Sequence, residues 1–297
     1  MTGYNWPEIM AKKSDSELKQ FFKDRYREPK EKIEVVIEEL KKRNILEEND
    51  DAVLKFTQKP LNFYDDIENF KYVRPNQERA QWAIWLIFAV LILDIISIFF
   101  DFSQYNLLLS IQNGELVTEE VANANDQRQQ ILGIIYLLVY FVSGIVFIQW
   151  FRRAYYNLHF RVKRCDFSEG WAAGCWFVPI VNLFRPVAIM DELWKKTNKL
   201  IKEKDSHYIV KSGSFIMVSW WALWIISGFV GRYVARSAFK GETLEDLIGS
   251  SISSIVLSCL AIPLALVTIK MISDYSKMEN RLNSLVRSQV EEQQLAS

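Results

Sequence analysis

Histidine and cysteine are scarce in this chain, with two of the one and three of the other among 297 residues. Cys165, Cys175 and Cys259 form no C-x-x-C pair, and His159 and His207 stand alone. A structural zinc site takes about four thiolate or imidazole ligands at suitable spacing, so no metal centre is expected. Three scattered cysteines also make no disulfide framework. Walker loops, a G-x-S-x-G elbow and an H-E-x-x-H helix are all missing, which removes the common chemistries that those spacings serve. No cofactor is expected. Charge imbalance is missing as well: 36 basic residues face 36 acidic ones, and nucleic acid is not an expected partner. The opening MTGYNWPEIMAKKSDSE has no apolar h-region, so the amino terminus is expected to stay in the cytoplasm.

What the chain does have is apolar length. A mean hydropathy of −0.01 hides an alternation of highly charged blocks with four long apolar runs at 82–100, 131–150, 213–230 and 252–272. Each is close to the ~20 residues that carry an α-helix across ~30 Å of hydrocarbon. Separated segments inside lipid must satisfy their own backbone hydrogen bonds, and only helices do so. The ten tryptophans suit the headgroup level, where amphipathic rings settle. The expected fold is an all-α membrane protein with its bilayer as the principal partner.

Basic residues in the short connections set the orientation. Between the first two runs Arg128 is the one basic residue beside Asp101, Glu115, Glu119, Glu120 and Asp126, so that loop is expected outside. Arg152, Arg153, Arg161, Lys163 and Arg164 follow the second run, and Lys195, Lys196, Lys199, Lys202 and Lys204 precede the third. Both groups are expected in the cytoplasm, as are both termini, in a multi-pass membrane protein. Between the two lies a further apolar stretch, 171–186, broken by Pro179, Asn182, Arg185 and Pro186. A full crossing there would put two basic segments on opposite faces, so the stretch reads as re-entrant or interfacial, sheltered by the four spans.

Residues 1–58 read as a soluble helical module. Ser14 and Glu17 have capping-box spacing, and Pro29 suits the first turn of a helix whose Ile33, Val36, Ile37 and Leu40 share one face. Glu28 with Lys32, Glu38 with Lys42 and Glu39 with Arg43 stand at i,i+4, and Asn44 is a left-handed stop. Residues 59–81 form an approach to the membrane domain, 82–272, and 273–297 continue as a polar helix. Tyr275, Met278, Leu282 and Leu285 there make a short seam that would suit a homo-oligomer.

The stretch Trp150, Arg153 and Asn157 (W-x-x-R-x-x-x-N), then Trp171, Trp176, Pro179, Asn182 and Leu183, then Arg185, Pro186, Met190, Glu192, Leu193 and Trp194 resembles a bacterial membrane family, the domain of unknown function numbered forty-three twenty-eight. The resemblance implies an architecture and a place in the bacterial inner membrane, and carries over no activity, substrate or catalytic residue. The amino-terminal S-D-x-E-L and E-E-L-K-K-R resemble small helical pieces appended to membrane proteins of the Bacteroidota.

Asp94 sits well inside the first span, where an ionisable group costs about 2.5 to 3.5 kcal/mol on insertion scales. It reads first as a neutral or paired carboxyl fixing helix contacts, and second as a cation or proton site. Arg153 and Asn157 share a face below the second span, and positive-inside anchoring accounts for Arg152 and Arg153. Arg185 could meet lipid phosphate or pair with Glu192 or Asp191. It weighs evenly between site and scaffold, as does Asn182. Trp171, Trp176 and Trp194 read as interfacial belt residues ahead of a ligand cage. Ser250, Ser254 and Ser258, and Ser227 with Gly231, read as close-packing surfaces. The leading functional reading is a non-enzymatic membrane protein with a structural or recognition role, whose cytoplasmic helices dock a protein partner. The alternatives are a small transporter or channel using Asp94 and the broken stretch, and a lipid-acting enzyme using Arg185, Asn182 and Glu192 in one cavity.

Overall fold

The computed structural model describes residues 6–23, 30–46, 69–238 and 243–296. Among the described residues all regular structure is helical: α1 (Trp6–Ala11), α2 (Asp15–Lys23), α3 (Lys30–Lys42), α4 (Gln77–Gln112), α5 (Glu119–His159), α6 (Trp171–Gly174), α7 (Arg185–Lys204), α8 (Ser214–Ala238) and α9 (Leu244–Ala296), with 3₁₀ turns at Phe70–Tyr72 and Val181–Leu183. The chain forms two compact units. One takes in the described part of 1–73 with 159–164 and 289–297, and the other 74–158 with 165–288.

In the first unit, α1, α2 and α3 close over a small core of Met10, Leu18, Val36 and Leu40, with Ile33 and Ile37 beside it. The expected apolar face of α3 is therefore the buried one. Ser14 caps α2 reciprocally: its backbone N–H donates to Glu17 Oε2 at 3.0 Å, and its Oγ accepts from the Glu17 N–H at 3.4 Å. Asn44 ends α3 at φ 56°, where the Ile45 N–H reaches the Leu40 carbonyl and the Asn44 N–H reaches that of Lys41. Those two bonds make a Schellman stop. Arg43 pairs with Glu39 at 2.8 Å as expected, and also bridges to Asp15 at 2.8 Å. Lys42 meets Glu39 at 4.0 Å in place of Glu38. Pro29, Glu28 and residues 47–58 lie outside the described residues.

In the second unit, α4, α5, α8 and α9 are long and apolar enough to cross a membrane. Their outward faces say the same. Phe99, Leu137, Phe141 and Phe215 are each at least 66% exposed, a surface that water would not tolerate at this extent. The protein is an all-α, multi-pass membrane protein. Between the first two spans the connection is much shorter than a loop over 101–130 would be: α4 runs on to Gln112 and α5 starts at Glu119. The polar extensions pair with each other, Gln129 donating to Asp101 at 3.4 Å and Arg128 lying over the Phe100 ring. Gly114 turns the corner at φ 80°, and a second Schellman pair closes α4.

The broken stretch consists of α6, a turn and the 3₁₀ turn, ending at Pro186 in the first turn of α7. Trp176 lies against Phe147 and Phe151 at the end of α5 and Trp220 and Trp224 near the start of α8, so the stretch stays at one end of the bundle. Shelter by the spans is one-sided. Ala172 and Cys175 are buried, while Phe177 and Ile180 are about three-quarters exposed. The backbone manages this because its amides close short local bonds, from Trp171 N–H to the Ser168 carbonyl through Phe184 N–H to that of Val181. The polar seam after residue 272 is an unbroken continuation of α9, and Tyr275, Met278 and Leu282 are buried within this chain.

Replacing Ser14 by Ala removes the Oγ side of the α2 cap and leaves the backbone N–H that donates to Glu17. It is expected to cost about 1 kcal/mol of local stability, seen as faster amide exchange at residues 15–18 with exchange in α8 unchanged.

Candidate functional site

Asp94 belongs to the inward stripe of α4, buried with Ala83, Ile87, Val90 and Leu91. It is 1% exposed. Tyr136 of α5 donates its hydroxyl to Oδ1 at 2.9 Å, and Oδ2 receives no hydrogen bond from the described residues. A half-satisfied carboxyl at this depth is costly unless it faces a partner or a cavity. It faces a cavity of ≈ 320 Å³, within the range of small-molecule sites.

The walls come from five elements: Asp94 from α4, Tyr136, Tyr140, Ser143 and Phe147 from α5, Trp176 and Phe177 from the broken stretch, Trp220 and Trp224 from α8, and Thr268 from α9. The rings form two sets of contacts. Trp176 meets Phe147 edge-on at 5.5 Å, Trp224 at 5.9 Å and Trp220 at 6.4 Å, and Tyr136 stacks on Tyr140 at 6.0 Å. Two of the lining residues, Tyr140 and Phe177, are exposed at the surface of the membrane unit.

The other candidate residues are mostly occupied in holding structure. Asn157 donates to Glu279 Oε1 at 2.7 Å and to the Arg74 carbonyl at 2.9 Å, and accepts from the Arg74 N–H at 3.0 Å. Asn76 donates to the same carboxyl at 3.1 Å. This buried junction ties α4, α5 and α9 together just beyond the apolar runs. Arg153, a turn away, lies over Tyr156 and does not join it. Glu192 of α7 accepts from Tyr155 at 2.7 Å, from the Asp166 N–H at 2.7 Å and from Lys196. Burial opposes the Lys196 charge, but the hydrogen bonds and charges of Glu192 and Asp166 together raise its pKa. The Cys165 thiol nearby is pushed up to about 12 by burial and by the Glu192 charge.

Arg185 pairs with neither Glu192 nor Asp191. Its guanidinium lies 4.3 Å from the Phe167 ring centre and 5.4 Å from that of Trp171, while Asp191 pairs with Lys195 at 2.6 Å. Asn182 donates to the Trp176 carbonyl at 3.3 Å, steadying the turn that contains Pro179. Arg185, Asn182 and Glu192 thus have separate partners, and neither cavity described here gathers them. Trp194 is no belt residue. It is 2% exposed, its Nε1 donates to the Lys211 carbonyl at 2.9 Å, and its ring lies so close to Gly213 that a Cβ there would come within 2.5 Å. Trp171 is partly exposed, and Trp176 faces Asp94's cavity.

A larger cleft of ≈ 670 Å³ runs between α7 and the start of α8, with Lys195, Lys199, Lys202 and Lys211 along it. Lys195 and Lys199 are paired with Asp191 and Glu203, so it has less unanswered charge than its lysines suggest. Tyr136, Tyr140, Trp220 and Trp224 escaped the sequence reading. The visible sign was two hydroxyl-bearing rings at i,i+4 inside the second apolar run.

Asn157→Leu leaves the Glu279 carboxyl short of a buried donor and is expected to cost about 3 kcal/mol in unfolding free energy, measured by denaturant titration in detergent. Arg281 donates to Asp205 at 2.6 Å, and that bond, with the His207 N–H, holds the Asp205 pKa below its ordinary value. This contribution is present above the ordinary carboxylate range and is lost as pH falls through the lowered value. Amide protection at 205–213, corrected for intrinsic exchange, should drop on acidification from pH 6 to 3. Asp205→Asn should show the drop already at pH 6.

No curated protein and no solved structure matches the chain. Residues 113–277 match the model of a family described as a domain of unknown function, DUF4328. The match takes in Tyr136, Trp176, Trp220, Trp224 and the Glu192 cluster, with Asp94 preceding it, and as it spans more than half of the sequence, the chain belongs to that family.

Proposed function

We propose that the protein is a non-enzymatic membrane protein that recognises a small molecule in the cavity between Asp94 and the broken stretch, and passes it between the bilayer and the basic end of the bundle. One observation carries this reading. The two features that the sequence offers separately, an intramembrane carboxyl and a proline-broken stretch, line one cavity of ligand size. Broken helices beside a mid-membrane site are a recurrent device of transporters. The wall supplies one carboxyl, two phenols and two aliphatic hydroxyls, with no histidine or cysteine. That composition suits binding better than acid–base or nucleophilic catalysis.

Gly144 provides a clean test, since it lines the cavity and a side chain there meets nothing within 4 Å of its Cβ. Three probes of one size are offered to the full chain in nanodiscs: benzyltrimethylammonium, neutral neopentylbenzene and anionic phenylmethanesulfonate. At least one should raise the thermal midpoint saturably, as a ligand of the native state must, and Gly144→Leu should abolish the rise while the protein still folds. No saturable rise with any probe, or a rise untouched by Gly144→Leu, would overturn the reading.

A further inference from the structure

The geometry points to an organic monocation with apolar arms as the ligand of this cavity, a quaternary or alkylated ammonium that arrives from the bilayer. The inference rests on the preceding reading and adds the ligand's charge and class. Its first support is Asp94, nine-tenths buried and more, with Oδ1 bonded to Tyr136 and Oδ2 unpartnered in a cavity wall. Tyr136 is a neutral donor, so the wall contains no fixed cation to balance a carboxylate. A bound cation supplies that balance where water cannot.

The second support is independent and lies in the rings. Trp176, Trp220, Trp224, Tyr136 and Tyr140 line the same space, and indole and phenol faces attract cations through their quadrupoles, most strongly when desolvated. Aromatic walls around one carboxylate are how quaternary ammonium groups are held, because such a group has no N–H to donate and offers only charge and methyl surface.

A metal ion fits these walls poorly. Divalent cations ask for six or more oxygens, carboxylates above all, whereas the wall holds one carboxylate and no imidazole or thiol, and among the described residues no group of three metal-ligating side chains gathers. An anion would meet the Asp94 charge. Tyr140, on a spanning helix, and Phe177 both line the cavity and are exposed at the surface of the membrane unit, which suits a ligand that comes from lipid, so the substituents on the cation are apolar.

Benzyltrimethylammonium and neopentylbenzene have one shape and differ by a positive nitrogen in place of carbon, so their affinity ratio reads charge alone. In nanodisc-embedded protein the cation is expected to bind at least about tenfold tighter than its neutral twin. Asp94→Asn, which keeps the shape and the Tyr136 bond, should bring that ratio close to one while retaining the neutral probe. Trp224→Leu, at a half-buried position, should weaken the cation more than the neutral compound. Equal affinities in the wild-type protein, or a preference that survives Asp94→Asn, would overturn the cation assignment and leave the cavity as a site for apolar molecules. Loss of all probe binding would remove both proposals, and tighter binding of phenylmethanesulfonate would reverse the sign of this one.

Discussion

A carboxyl group within an apolar span, given one hydroxyl and no more, is the constraint around which the membrane unit is arranged. Lipid cannot solvate Asp94, so α5 brings Tyr136 to one oxygen, while the other is buried beside the cavity without a hydrogen bond. A buried oxygen left without a hydrogen bond costs about 1–3 kcal/mol. The cavity beside it is lined by rings from two spans and from the broken stretch.

Trp176 is the piece that connects this cavity to the broken stretch. Its ring reaches Phe147, Phe151, Trp220 and Trp224, and the stretch around it is steadied by local hydrogen bonds and by the Asn182 amide. Trp221 adds a hydrogen bond from its Nε1 to the Leu183 carbonyl at 3.0 Å. Farther along, the Glu192 carboxyl and the Asn157 amide are fully bonded at the ends of the spans, while Asn76 Oδ1 in the Asn157–Glu279 junction has no hydrogen bond. Asp94 differs from both in lining a cavity of ligand size.

Much of this was legible in the residues. Four apolar runs give four spanning helices, the Ser14–Glu17 spacing gives a capping box, and Asn44 takes the left-handed stop. What could not be read depends on partners distant in sequence. Nothing near Trp194 announces that its ring will press on Gly213 and its indole bond the Lys211 carbonyl, so a belt position was the natural expectation. Arg185 turns to aromatic faces, since the carboxyls it was expected to meet are taken by lysines. The polar ends of α4 and α5 read as a loop until Gln129 and Arg128 are seen to find Asp101 and Phe100. Asp94 itself was singled out, but in the first place as a contact between helices; that it shares a cavity with Trp176 is a property of the fold alone.

The most direct test is fluorine NMR of the full chain in nanodiscs with 5-fluorotryptophan at its ten tryptophans, assigned by single replacement. On titration with benzyltrimethylammonium, the Trp176, Trp220 and Trp224 resonances should move together with one saturating midpoint, Trp171 should stay in place, and Asp94→Asn should weaken the midpoint at least about tenfold. Resonances of those three that stay fixed, or that move identically in the Asp94→Asn protein, would contradict a cation site shared by the first span and the broken stretch.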